Sequence, residues 1–181
     1  GSGTNAENII KYFQKNNLAE VTLVLSNKID AKVLDRAKFF SIPSESFNKS
    51  ELMNSDRITA ILRKESPDLI VLAGFLLKFP EFILKAFPNK VINIHPALLP
   101  KYGGKGMYGM LVHESVVKNK EPETGITIHY VNENYDEGSI IFQKSFQLSE
   151  NDTAESVASR IHELEYEFFP KVIEEILKKD K

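Results

Sequence analysis

Asp68-Leu69-Ile70-Val71-Leu72-Ala73-Gly74 runs from an aspartate through a short apolar stretch to a glycine. Too short for a helix and apolar on both faces, it reads as a central strand of a parallel sheet covered by helices. The next apolar stretch, Val91-Ile92-Asn93-Ile94-His95-Pro96-Ala97-Leu98-Leu99-Pro100, carries polar groups at its end. Alternate side chains of an extended segment share a face, so Asn93 and His95 project together while Ile92 and Ile94 face the other way. Pro96 biases His95 toward extended backbone. The two prolines around Ala97-Leu98-Leu99 forbid regular pairing, so this is a packed, irregular loop of the kind that serves a site.

Outward from these strands, helical and strand patterns alternate, and the class is α/β. Helices are expected over Asn5–Asn16, Ala31–Phe40 (capped by Asp30), Glu51–Glu65, Phe79–Phe87 and Met110–Asn119. A long last helix runs from Asp152-Thr153 to near Lys179, with a kink at Pro170. Strands are expected at Glu20–Leu25, within Ser41–Lys49, at Lys90–Asn93, and at Thr124–Val131 and Ser139–Leu148, the last two as an antiparallel edge. The glycine-rich Lys101–Gly109 segment is expected to be mobile until something packs on it, either a plain surface loop or a lid.

Composition narrows the class of function. At 181 residues the chain suits one domain, 1–181, and it has no cysteine, which excludes thiolate catalysis, disulfides and Cys-ligated metals. A net charge of −2 with interspersed signs gives no field to attract nucleic acid. No apolar run approaches a membrane span and no secretory leader opens the chain, so a soluble, cytoplasmic protein is expected, monomer or homodimer. No histidine pair has the spacing of known zinc motifs, so no metal is expected. His129 reads as an edge-strand residue, and His113 and His162 as helix residues.

Ligands of open α/β sheets bind beyond the carboxyl ends of the strands. Four segments fall there: Gly1-Ser2-Gly3-Thr4-Asn5, Gly74-Phe75-Leu76-Leu77, the Asn93/His95 segment, and the acidic turn Asn132–Gly138. The first, just before a helix, has the makings of a phosphate cradle, a simple helix cap or an expression scar.

Asn93-Ile94-His95-Pro96 with Leu98-Leu99-Pro100, Val71-Leu72-Ala73-Gly74-Phe75 before it and an Asp-x-Gly turn at Asp136 after it, resembles the folate-dependent formyltransferases. Ser26-Asn27-Lys28, Thr124-Gly125 and the segment from Arg160 to Pro170 extend the resemblance over nearly the whole chain. It implies a Rossmann-like fold, mostly parallel, with helices on both faces and an antiparallel C-terminal edge. It also implies transfer of a formyl group from 10-formyltetrahydrofolate to the amine of glycinamide ribonucleotide in purine biosynthesis, without metal. Asn93 and His95 then stabilise the oxyanion of a tetrahedral species, while Asp136 raises the pKa of His95 and helps relay a proton.

By the same resemblance Gly3, Thr4, Asn5, Ala6, Glu7 and Glu165 hold the ribotide. Leu76, Leu77, Lys78 and Phe79 line the pterin pocket, together with Asn93 and the turn residues Asn132, Glu133, Asn134, Tyr135 and Asp136; taken alone, Leu76, Leu77 and Phe79 read equally as core. The sequence departs from the family in three places. The family begins with a short apolar strand ahead of the phosphate loop, so the natural protein is expected to extend upstream of Gly1 or to borrow a strand from a neighbour. Leu77 stands where arginine is common, and Gly103–Met110 lies in a longer, unlike loop. A basic residue before the Glu51 helix is missing, with Lys49 its nearest candidate for the folate tail. Rival readings are a methionyl-tRNA, sugar-nucleotide or hydrolytic relative sharing the Asn/His/Asp core, and a binding module without catalysis.

Overall fold

The structure, a computed structural model, describes residues 2–179; Gly1, which opens the glycine-rich run, lies outside the described residues, as do positions 180 and 181. Helices α1 (Thr4–Asn16), α2 (Lys32–Phe39), α3 (Lys49–Asn54), α4 (Arg57–Glu65), α5 (Glu81–Ala86), α6 (Met110–Lys118) and α7 (Ala154–Lys179) alternate with six strands. These are β1 (Val24–Ser26), β2 (Ser44–Ser46), β3 (Ile70–Leu72), β4 (Val91–His95), β5 (Glu123–Tyr130) and β6 (Ile140–Gln147). Strands β1 and β2 pair parallel, and β3 and β4 pair parallel in a sheet of order β3-β4-β5-β6 whose remaining pairs are antiparallel.

The chain thus has the expected α/β class, with an antiparallel C-terminal side. Strand β5 is not an edge, because β6 pairs along its far side. Strand β3 is shorter than Asp68–Ala73 and only half-buried, since its edge away from β4 carries no partner among the described residues. Its end and that of β1 border one cavity.

Helices cover both faces. On one, Ile92 and Ile94 of β4 and Ile126 and Ile128 of β5 pack with Ile9 and Phe13 of α1 and with Val157, Ile161, Phe169 and Ile173 of α7. On the other, Leu52, Ile58, Leu62, Ile83 and Phe87 from α3, α4 and α5 pack beneath Val91. The alternation read from β4 is therefore the alternation that separates the Ile face from the Asn93/His95 face.

Two local expectations need correction. The stretch Glu51–Glu65 is two helices, because Ser55 is extended (φ −137°, ψ 157°) and its hydroxyl donates to the Glu51 carbonyl at 2.7 Å. Asp30 does not cap α2; Ala31 holds the N-cap position without a side-chain bond. Pro170 lies inside α7, buried with Phe169.

Phe169 is fully buried in the α7 face of the core. Truncation leaves a cavity as well as losing apolar burial, so Phe169→Ala should lower the unfolding free energy by about 3–5 kcal/mol. Urea denaturation checks this, and a loss within about 1 kcal/mol would show that α7 is not part of the cooperative core.

Candidate active site

The carboxyl ends of β1, β3 and β4 open on a cavity of about 520 Å3, walled also by the start of α1, the Asn132–Asp136 turn, α6 and α7. Asn93 and His95 enter it from adjacent same-face positions of β4. Register places Asn93 opposite His129 and His95 opposite Thr127. The sheet thus sets four polar side chains side by side on one face, between isoleucines that all point the other way.

His95 is 4 % exposed. Its Nε2 lies 2.7 Å from the Tyr102 carbonyl, which can only accept, so the proton sits on Nε2. Nδ1 faces Asp136 Oδ2 at 3.6 Å, a distance for charge interaction with room for a bridging group rather than a direct hydrogen bond. Burial holds the imidazole below its usual range, and the Asp136 charge and the Tyr102 carbonyl only partly offset this. Asp136 thus raises the His95 pKa as expected, and desolvation, which the sequence does not show, outweighs it in the net.

Asp136 sits in the left-handed region (φ 57°) of the turn after β5. Burial pushes its carboxyl up, but His129, His95 and the Gly104 N–H, which donates to Oδ2 at 3.0 Å, together hold it below the ordinary aspartate value. Gly138 makes this turn possible, because a Cβ there would stand 1.7 Å from the Tyr130 carbonyl oxygen.

His129, read from its sequence position as an edge-strand residue, also faces Asn93 and Asp136. Its Nδ1 donates to the Tyr130 carbonyl at 2.8 Å, so in the neutral ring Nε2 accepts, and Asn93 Nδ2 lies 3.3 Å from it. One amide hydrogen of Asn93 is then spent on His129 and the other is left for the cavity. The available signal was the strand Ile126-Thr127-Ile128-His129, whose polar residues alternate as those of β4 do.

Thr127 clips the proline-bracketed loop. Its buried hydroxyl donates to the Ala97 carbonyl at 2.7 Å and accepts from the Leu99 N–H at 3.0 Å and from Gln143 Nε2 at 2.9 Å. The glycine-rich segment is also less free than expected in its first half. Besides the bonds from His95 and to Asp136, the Tyr102 hydroxyl donates to Glu121 and accepts from Asn119.

Of the sequence-predicted site residues, Gly3, Thr4, Asn5, Ala6, Glu165, Leu76, Leu77, Lys78, Phe79, Asn132, Asn134 and Tyr135 border the same cavity as the Asn93/His95/Asp136 group. Glu7 and Glu133 do not border it, and the Glu7 carboxylate instead pairs with Arg36 and Lys11. Lys49 begins α3 away from the cavity. Gly3 has φ 75° and a Cβ there would meet Val33 at 2.6 Å, so the turn into α1 requires glycine. Glu165 accepts on Oε2 from Asn5 Nδ2 at 2.9 Å and His162 Nδ1 at 3.1 Å. Lys78 is the one lysine or arginine that borders the cavity among the described residues. No metal-binding cluster of histidines and carboxylates occurs among the described residues.

A cavity at the carboxyl ends of the strands, lined by amides, imidazoles and carboxylates beside a helix N-terminus, defines the class as an α/β domain with a polar sheet-end site. Residues 1–173 match the formyl transferase family. The chain is 37 % identical over 182 aligned positions to the phosphoribosylglycinamide formyltransferase of Bacillus subtilis, covering 98 % of this chain and 91 % of that one. The chloroplastic enzyme of that name from Arabidopsis thaliana is 38 % identical over 159 positions, 85 % of this chain but 54 % of the longer relative. The phosphoribosylglycinamide formyltransferase structure from Bacillus halodurans superposes with a TM-score of 0.87 at 33 % identity, over 100 % of this chain and 93 % of that one. The chain belongs to the formyl transferase family.

Burial of neutral imidazoles makes stability depend on pH. His95 and His113 both titrate below 6.5 in the folded chain, each chiefly through burial, so in acid the unfolded chain binds more protons and folding loses free energy. His162 acts in the opposite sense, raised by its bond to Glu165, but more than half of its side chain is exposed. Asp136 adds to the loss only at lower pH still, as its depressed carboxyl is protonated. The melting temperature should fall from about pH 6.5 downward, and a rise on acidification in thermal melts would contradict the burial account.

Proposed function

We propose that this chain transfers a formyl group from 10-formyltetrahydrofolate to the primary amine of glycinamide ribonucleotide, a step of purine biosynthesis in the cytoplasm. The observation that supports it is the convergence of Asn93, His95 and Asp136 at one cavity, in a chain similar along its length to enzymes named for this reaction.

The chemistry has defined needs. The amine nitrogen bonds to the formyl carbon while the carbonyl oxygen gains negative charge; the amine then sheds a proton as the bond from that carbon to folate N10 breaks and N10 regains one. The free Nδ2–H of Asn93 is suited to the oxygen. His95 has committed Nε2–H to Tyr102, so Nδ1 is the nitrogen left to act, donating once protonated. Asp136, 3.6 Å from Nδ1, stabilises that positive charge and is within reach of the amine proton through one water.

Binding follows the same division. Leu76, Leu77 and Phe79 with the backbone of the Asn132–Asp136 turn give an apolar slot fitted to a flat pterin, and Lys78 supplies a cation for an anionic folate tail. Gly3, Thr4, Asn5 and Ala6 offer the N–H groups of α1 to the ribotide phosphate. Glu165 receives ribosyl hydroxyls. Phe79 contributes to packing as well, edge-on to Phe75 with ring centroids 6.1 Å apart.

Purified protein with both substrates should consume formyl folate only when ribotide is present. Consumption without ribotide would indicate a hydrolase, and none under either condition a binding module. His95→Ala should reduce kcat by about 10²-fold or more with ribotide affinity nearly intact. A large loss of affinity at unchanged kcat would contradict the role given to His95.

A further inference from the structure

Among buried side-chain polar atoms of the described residues, three lack a hydrogen-bond partner: Asn5 Oδ1, Thr59 Oγ1 and His113 Nδ1. Orphans of this kind are rare and costly in folded proteins, so each one calls for an explanation. Two of the three, on Asn5 and His113, belong to residues that border the cavity.

His113 lies on the buried side of α6 and is only 4 % exposed. It borders the cavity together with His95 of β4 and with His162 and Glu165 of α7, whose charges act on it. Glu165 uses Oε2 for both Asn5 and His162, leaving Oε1 free of both. The cavity wall therefore holds unused acceptors on Asn5 and Glu165 and an imidazole whose Nδ1 has no partner.

The chemistry of these groups selects a ligand. Oxygen acceptors on Asn5 and Glu165 repel a phosphate or carboxylate and call for donors. Burial, with the nearby His162, holds His113 below its usual range, so the ring is neutral and offers one donor and one acceptor. A hydroxyl, which both donates and accepts, matches such a ring, and a vicinal diol supplies two hydroxyls at the spacing of adjacent groups.

We propose that His113 is a specificity-determining residue that hydrogen-bonds one hydroxyl of the acceptor's ribosyl diol, with Asn5 and Glu165 taking the diol's protons. The assignment rests on glycinamide ribonucleotide being the acceptor. It adds to that reading a side chain on α6 that discriminates ribosyl from deoxyribosyl acceptors, as a site built around a hydroxyl rejects the analogue that lacks it.

Calorimetry with glycinamide ribonucleotide and its 2′-deoxy and 3′-deoxy analogues tests this on the wild type, His113→Leu and His113→Gln. The wild type should bind at least one deoxy analogue about tenfold more weakly than the parent. His113→Leu should bind the parent about tenfold more weakly and no longer distinguish that analogue, while His113→Gln should retain discrimination. A folded His113→Leu that still discriminates as the wild type does would overturn the role of His113 alone. A wild type that binds no ribotide would overturn the acceptor assignment and this inference with it. Should His113→Leu fail to fold, the imidazole 15N resonances of wild-type His113 decide: they should shift with the parent ribotide and not with the discriminated analogue, and a shift common to both would overturn the proposal.

Discussion

A carboxylate taken out of water must be met by donors or positive charge, and in this protein that demand falls on Asp136. The Gly104 N–H of the glycine-rich segment donates to it, while His95 Nδ1 from β4 and His129 Nε2 from β5 face its two oxygens across 3.6 Å. Three pieces of chain distant in sequence are thereby tied to one group. The turn that presents it needs a left-handed Asp136 and a side-chain-free Gly138, so sterics and electrostatics fix the same point. Neither imidazole closes to hydrogen-bond distance, both standing 3.6 Å from the carboxylate.

Much of this was legible because sheet geometry is periodic. Asn93 and His95 stand on one face of β4 by alternation alone, and the apolar run at Ile70–Leu72 marks the adjacent parallel strand. Asp136 was accessible only through resemblance, since a loop carboxylate has no periodicity to betray where it folds back. His129 is hidden for a different reason: on an edge strand its ring looks solvated. Pairing of β5 with β4 is the long-range fact that turns its polar residues inward, where Thr127 and His129 lie almost fully buried.

The remaining misreadings share a cause. Apolar spacing continues across Ser55-Asp56, so nothing in the pattern announces the break; the backbone takes it because the Ser55 hydroxyl offers the Glu51 carbonyl a local partner. Asp30 is a good capping residue beside a helix that starts one residue too late for it. Glu7 has the right position in a motif but the wrong neighbours, since Arg36 and Lys11 claim its charge. Each case is a competition between local preference and a tertiary partner that sequence does not display.

The Thr127 hydroxyl has one proton and two lone pairs, and all three are occupied, by Ala97, Leu99 and Gln143. A saturated group has no spare partner to take up when a neighbour moves. Any tilt of the Ala97–Leu99 backbone would strand a buried amide or carbonyl, so the segment behaves as a fixed pivot. Exposed Lys105, Gly106 and Tyr108 lie beyond it, so the backbone next to His95 is set by β5 and not by them.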